Sequence, residues 1–201
     1  MSWSKKSVPS AIESFETPPA GSHGACLVAI IDLGTQKDTY QGTETERPQV
    51  YLCWELTSCP MSGTTNNHLI GRKYTFSLNE KAALRKLVKS WRGKDLAIGE
   101  EFDILAMLGK SCMLSISRKE VGDKSYAQLD GVSAVPAGMK VDRPKRKPVS
   151  RHILDAAPPP DWLPYIYGEK IEEVLGRARE LRNSPQAAAV GEEAEDEDIA
   201  F

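Results

Sequence analysis

The stretch from residue 72 to residue 92, RKYTFSLNEKAALRKLVKSWR, most constrains the fold because it joins a strand pattern directly to a helix pattern. Its first residues alternate in period two and are rich in aromatic and β-forming side chains, which predicts a strand. Ser77 and Glu80 then form an S-x-x-E capping box that predicts a helix start, and Gly93 predicts its end. The apolar stripe of this helix is Leu84, Leu87, Val88 and Trp91.

Strand patterns lie on both sides of this helix. Residues 26–34 (CLVAIIDLG) predict a largely buried first strand, and residues 48–56 (PQVYLCWEL) alternate as a second. After the helix, residues 111–119 and 125–135 predict a hairpin. The resulting β-β-β-α-β-β order is that of the OB-fold, a five-stranded Greek-key barrel with a helix between strands three and four. We therefore predict a mainly β protein with this barrel; another small β-barrel or an α+β sheet is the alternative.

The composition changes along the chain and predicts five segments. Ser and Pro dominate the start, a basic and proline-punctuated stretch follows the barrel, and apolar residues from Tyr167 to Leu181 recur at helical spacing. The predicted segments are a flexible N-terminal arm (1–22), the OB-fold domain (23–136), a basic Pro-rich linker (137–160), an added C-terminal helix (161–183) and a disordered acidic tail (184–201).

The net charge of -2 conceals an uneven distribution. Residues 191–201 carry six acids and no base, which leaves 26 bases and 22 acids, a net charge of +4, on the other 190 residues. A mildly basic body with an acidic end predicts a polyanion-binding surface plus a separate acidic tail.

Nothing in the sequence specifies a reaction, so we predict that the protein is not an enzyme and needs no cofactor or metal. The three histidines are far apart, and no nucleotide-binding or hydrolase motif occurs. A nuclease that uses Asp32 and Asp38 is a remote alternative. The four cysteines show no C-x-x-C spacing and are expected to be mainly buried thiols. Without a long apolar run or a secretory signal pattern, the expected location is cytoplasmic.

A nucleic-acid interface is the site that the residue types favour. Single strands are held by aromatic rings that stack on bases and by cations that neutralise phosphates, in OB-folds on strands two and three and their loops. Tyr51 is the favoured stacking residue because it shares a face with Arg47 and Gln49. The candidate DNA-binding residues are Lys37, Tyr40, Arg47, Tyr51, Arg72, Lys73, Tyr74, Arg92, Lys94 and Tyr126.

Other rings and cations have structural explanations. Trp54 shares a face with Val50 and Leu52, and Trp91 lies in the helix stripe, so both are expected in the core. Phe76 is expected there as well. The basic face of the helix is compatible with a solvated surface; its residues are Lys81, Arg85, Lys86 and Lys89.

The last residues, GEEAEDEDIAF, join an acidic run to a terminal aromatic residue. The ring of Phe201 suits an apolar pocket, its carboxylate can pair with a base, and the preceding acids attract a basic partner. The partner-binding residues are Asp196, Glu197, Asp198, Ile199 and Phe201. This ending resembles the C-terminal tips of bacterial and phage single-stranded DNA-binding proteins.

Residues of about 30–135 carry the same resemblance. The segments IIDLGTQKDTYQG, VYLCWEL, RKYTFSLNEKAALRKLVKSWRGK and LGKSCMLSI together resemble a family of phage-encoded single-stranded DNA-binding proteins. The resemblance implies an OB-type barrel, sequence-tolerant binding of single-stranded DNA, and a role in phage DNA replication or recombination in the host cytoplasm. It also implies that the tail recruits replication or repair proteins. It does not cover residues 139–183, which leaves a homo-oligomer open.

The alternative from a different class is a protein-interaction adaptor that uses an OB-like barrel without nucleic acid. Its working parts would be the basic stretch at 143–151 and the helix near 165–182.

Overall fold

A computed structural model describes residues 16–40, 43–122, 124–155 and 158–183. Its strands are β1 (Gly21–Tyr40), β2 (Thr43–Pro60), β3 (Asn67–Thr75), β4 (Ser111–Val121), β5 (Lys124–Ser133), β6 (Val149–Arg151), β7 (Tyr165–Ile166) and β8 (Glu169–Lys170). Its helices are α1 (Ala83–Arg92), α2 (Ile171–Arg182) and a short 3-10 helix, Ile104–Met107. The predicted β-β-β-α-β-β order and mainly β class are confirmed for the body.

Six of these strands form one partly open sheet in the order β3-β2-β1-β4-β5, with β6 paired in parallel to β1, and β7 and β8 pair separately. The long β1 is the centre of this sheet, since its first residues pair with β4 and the rest pair with β2. Register shifts at Leu27/Ala29 and Asp32/Gly34 bend the strand, as bulges do. No ladder joins β3 to β5 in the described residues, but Arg72 of β3 donates a hydrogen bond to the Leu129 carbonyl of β5.

The inner face of the sheet and α1 enclose the main core. Trp54 of β2 is fully buried, and Trp91 of α1 lies beside it with ring centroids 6.3 Å apart. The indole N–H of Trp91 donates to the Ser111 carbonyl at 3.0 Å. Both tryptophans therefore occupy the core as predicted, and burial of each large apolar side chain stabilises the fold by about 1.5–3 kcal/mol.

The predicted boundaries of α1 are right at one end and wrong at the other. Gly93 ends the helix in the left-handed region at φ 71°, as expected for a glycine C-cap. The helix begins only at Ala83, however, and the Ser77 hydroxyl instead accepts from the Asn79 N–H in the preceding turn. Phe76 is 46% exposed, so its predicted core position is wrong: β3 ends at Thr75, and the alternation ends with it.

A second core covers the outer face of β1 and β2. Ala29, Ile31 and Leu33 project from the other side of β1, which explains why the first strand is apolar along both faces. They pack against residues 153–155 and 158–178, which we call the C-terminal layer. Its apolar residues are Ile153, Leu163, Ile166, Ile171, Val174, Leu175 and Ala178. The residues predicted as a linker, 137–160, thus include β6 and the start of this layer.

The C-terminal layer differs from the single helix predicted there. The turn Tyr167–Gly168, with φ values of 52° and 83°, joins β7 to β8 in a tight hairpin, and α2 begins only after it. Tyr167 therefore does not belong to the apolar face of the helix. Neither α1 nor α2 is long and apolar enough to cross a membrane.

The predicted terminal segments lie mostly outside the described residues. Glu16, at the start of the described part, accepts hydrogen bonds from the backbone N–H and hydroxyl of Ser62. Residues 1–15 and the tail 184–201 are not described. Cys26, Cys53 and Cys112 are buried free thiols, as expected, and Cys59 is a half-buried one.

Candidate nucleic-acid interface

Tyr51, the favoured stacking residue, does not lie on an open polar face. Only 7% of Tyr51 is exposed. Its ring lies over Gly71 of the neighbouring strand β3, and a Cβ added at Gly71 would overlap the Tyr51 hydroxyl. The Tyr167 ring lies edge-on to it, with centroids 6.0 Å apart and planes at 80°. Burial raises the pKa of Tyr51. In this arrangement a base cannot reach the Tyr51 ring, which belongs to the second core.

Arg72 and Tyr74 lie together at the seam between β3 and β5. The Arg72 guanidinium is 5.4 Å from the centre of the Tyr74 ring and donates to the Leu129 carbonyl at 3.1 Å. Tyr74 is only 6% exposed, and burial raises its pKa to about 12 despite the nearby Arg72 charge. A cleft of about 260 Å³ opens here, also lined by Lys86 and Asp130. Arg72 therefore links the two edge strands while its side chain remains exposed.

Arg92 and Lys94 lie at the far end of α1. Arg92 donates to Glu100 at 2.8 Å and lies over the Phe102 ring, so its charge is already paired. The Ala97 N–H and then Arg92 lower the pKa of Glu100. Lys94 is exposed.

The basic face of α1 is partly neutralised too. Asp95 accepts hydrogen bonds from Lys89 and Arg85, and these bonds hold the pKa of Asp95 at about 2.

The remaining candidates fall in different places. Lys37, Arg47 and Lys73 are exposed. Tyr126 is 50% exposed on the β4–β5 hairpin. The Tyr40 side chain is outside the described part of the structure, as are the tail residues 196–201.

A groove of about 770 Å³ brings two of the predicted cations together with a third that the sequence did not indicate. It runs between the outer face of the sheet and α2. Lys37 comes from β1, Lys73 from β3 and Arg177 from α2. The full lining is Gln36, Lys37, Gln49, Lys73, Tyr74, Thr75, Ile166, Glu169, Val174, Arg177, Glu180 and Leu181.

Acidic residues moderate the charge of this groove. Lys37 lies 3.6 Å from Glu46, and both side chains are about half exposed, so the pair is weak. Arg177 pairs with Glu169, and Glu180 also lines the groove. Among the lining residues three cations face two acids. Glu46, beside Lys37, offsets the remaining charge, so the groove offers separate cations rather than a net positive charge.

Gln36 fixes the position of α2 beside the sheet. Its side-chain amide donates to the Leu33 carbonyl at 2.7 Å and to the Val174 carbonyl of α2 at 3.3 Å. Sequence reasoning missed Gln36 and Arg177 because no local pattern indicates which sheet surface a helix covers. The small Gly34 and Ala178, which allow a close approach here, were the available signal.

Asp32, half of the remote nuclease hypothesis, has a structural role. Its Oδ1 accepts from the Gly34 N–H at 2.8 Å, and its Oδ2 lies 3.3 Å from His152. The Asp38 side chain is not described. Within the described ranges, no three or more His, Cys, Asp or Glu side chains form a group that could hold a metal ion.

No protein-family model matches this chain, and no curated protein is similar to it at a significant level. The resemblance to phage single-stranded DNA-binding proteins therefore stays a prediction.

Proposed function

We propose that this protein binds single-stranded DNA with little sequence preference, in the groove between α2 and the outer face of the sheet. One observation carries the proposal: Lys37, Lys73 and Arg177, from three separate elements, line a single open groove. Cations on opposite walls suit a flexible polyanion that passes between them, because each can neutralise a phosphate.

We also propose that the sheet closes into an OB-type barrel. It is supported by the strand order, by the bent central β1 and by α1, which packs against both β3 and β5. OB-folds bind single strands on the face of strands two and three. In this protein the C-terminal layer covers part of that face, and the groove is the part that stays open.

The cations of the groove should each contribute to the affinity for single-stranded DNA. We expect Lys37→Ala and Arg177→Ala each to weaken binding of a fluorescent oligo-dT and to reduce the slope of log affinity against log salt by about 0.7. Each variant removes one site of counterion release. Fluorescence anisotropy titrations over a range of salt concentrations measure both effects. Glu180→Gln should tighten binding, because it removes an acid that repels phosphate.

Lys140→Ala is the matched control. Lys140 is exposed, and the adjacent Val141 packs on Gly24, at the opposite end of β1 from Lys37. The control should keep the affinity and salt slope of the wild type. Affinity that does not change with salt, or an equal loss in Lys140→Ala, contradicts binding in the groove. No binding of oligo-dT by the wild type would favour the adaptor hypothesis.

The acidic tail completes the proposal on sequence grounds. Its acids and Phe201 suit recruitment of a replication, recombination or repair protein while the groove holds DNA. A role in coating unpaired DNA follows from the same proposal, and the sequence resemblance adds a proposed phage origin.

A further inference from the structure

Tyr167 combines exposure with an unusually fixed position. It is 60% exposed, yet it is the one non-glycine residue of the described chain with a positive φ. A backbone in this region costs about 1 kcal/mol or more for a residue with a side chain. The surrounding contacts must therefore hold the residue in place.

The Tyr167 hydroxyl joins the hairpin to the edge strand β3. It accepts from the Lys73 N–H at 3.2 Å and donates to the Gly71 carbonyl at 3.3 Å. These two backbone groups belong to β3, the edge strand of the sheet. The hydroxyl therefore makes hydrogen bonds that a neighbouring strand would otherwise make. The bonds fix the hydroxyl end of the ring and leave much of the rest exposed to solvent.

The ring also lies beside the groove. The Lys73 ammonium, which lines the groove, lies 5.1 Å from the Tyr167 ring centre. Ile166 and Glu169, on either side of the hairpin turn, line the groove as well. An aromatic ring and a phosphate-neutralising cation are thus in contact at the rim of one groove. That is the combination that single-stranded nucleic acid requires.

We propose that Tyr167 is the base-stacking residue of this protein, in the place that the sequence pattern gave to Tyr51. The proposal rests on the function proposed above, because it assigns a role within the same interface. A base would stack on the exposed ring, and the adjoining phosphates would lie near Lys73. Because the ring is already fixed, stacking on it costs little side-chain entropy.

The test compares Tyr167→Leu, Tyr167→Phe and Tyr165→Leu in the full chain. Tyr167→Leu removes the aromatic ring and should weaken oligo-dT binding about 5- to 100-fold. Tyr167→Phe keeps the ring without its hydroxyl and should stay within about threefold of the wild type. Tyr165→Leu changes a 46% exposed ring on the same hairpin and should leave affinity unchanged. Thermal unfolding of each variant establishes that it is folded.

A crosslinking experiment gives an independent readout. An oligonucleotide that carries 5-iododeoxyuridine is irradiated with the wild-type protein, and the modified peptide is identified by mass spectrometry. We expect the crosslink at Tyr167. If the wild type binds no oligonucleotide, the proposed function fails. If it binds, but Tyr167→Leu binds equally well or the crosslink lies on Tyr126, the function stands and the assignment of Tyr167 is overturned.

Discussion

Replacement of Glu55 by alanine should lower the free energy of unfolding by about 3–5 kcal/mol, because it leaves a buried cation and buried N–H groups without their acceptor. Glu55 is completely buried on β2. Its Oε1 accepts from the Asn67 amide at 2.7 Å and the Lys145 N–H at 2.8 Å. Its Oε2 accepts from the Arg146 N–H at 3.0 Å and lies 3.3 Å from the Arg146 guanidinium.

These partners come from distant parts of the chain. Asn67 belongs to β3, whereas Lys145 and Arg146 lead into β6. The Arg146 guanidinium also donates to the Asn67 carbonyl and lies over the Trp162 ring of the C-terminal layer. The carboxylate therefore fastens this layer to the sheet, and its loss should loosen the layer as well as destabilise the whole.

Urea unfolding followed by tryptophan fluorescence measures the effect. Glu46→Ala is the matched control, since Glu46 lies on the same strand with its side chain 55% exposed and pairs only weakly with Lys37. It should change the free energy of unfolding by less than about 1 kcal/mol. Equal effects of the two substitutions would contradict the role of Glu55.

A double variant separates the charge pair from the backbone contacts. Replacing Arg146 together with Glu55 removes the orphaned guanidinium, and this usually recovers much of the cost of breaking a buried pair. Here two of the four partners are backbone N–H groups, which no substitution removes. We therefore expect Glu55→Ala/Arg146→Ala to remain clearly less stable than the wild type.

The inner half of this fold could be predicted from the sequence because its signals are local. The stripe of α1, the glycine at its C-terminus and the alternation around Trp54 each lie within a few residues of one another. Phe76 shows the limit of such reasoning. The period-two alternation of the sequence continues through Phe76, whereas β3 ends at Thr75. A hydrogen bond from the Phe76 N–H to the Pro48 carbonyl, 28 positions away in the chain, accompanies that end.

The second core and the groove could not be predicted, because the residues that meet there are distant from one another in the sequence. Tyr51 and Glu55 share a face of β2 that reads as polar, and a polar face usually indicates solvent. The acceptor role of Glu55 depends on backbone N–H groups about 90 positions later. The groove could not be predicted for the same reason. Lys37 and Lys73 were candidates because of their places in the predicted strands. Arg177 lies near them only because α2 docks beside β1.

Replacement of Gly34 by alanine should destabilise the C-terminal layer by about 2–5 kcal/mol and weaken DNA binding at the same time. Gly34 has φ +64° at a bulge of β1. An added Cβ would overlap Ile153 Cδ1 and lie 3.1 Å from the Ala178 Cβ. Backbone strain contributes about 1–2 kcal/mol and overpacking about 1–3 kcal/mol. Because Ala178 has no flexible end to move, α2 itself must shift.

Gly63→Ala isolates the steric part of this effect. Gly63 has a similar φ, +70°, but an added Cβ would meet nothing within 4 Å. The control therefore carries the backbone strain alone and should cost about 1 kcal/mol. Hydrogen exchange should show faster exchange in α2 for Gly34→Ala only, and only that variant should lose affinity for oligo-dT. Equal exchange and affinity in the two variants would contradict this prediction, because the docking of α2 would then not depend on the contact with Gly34.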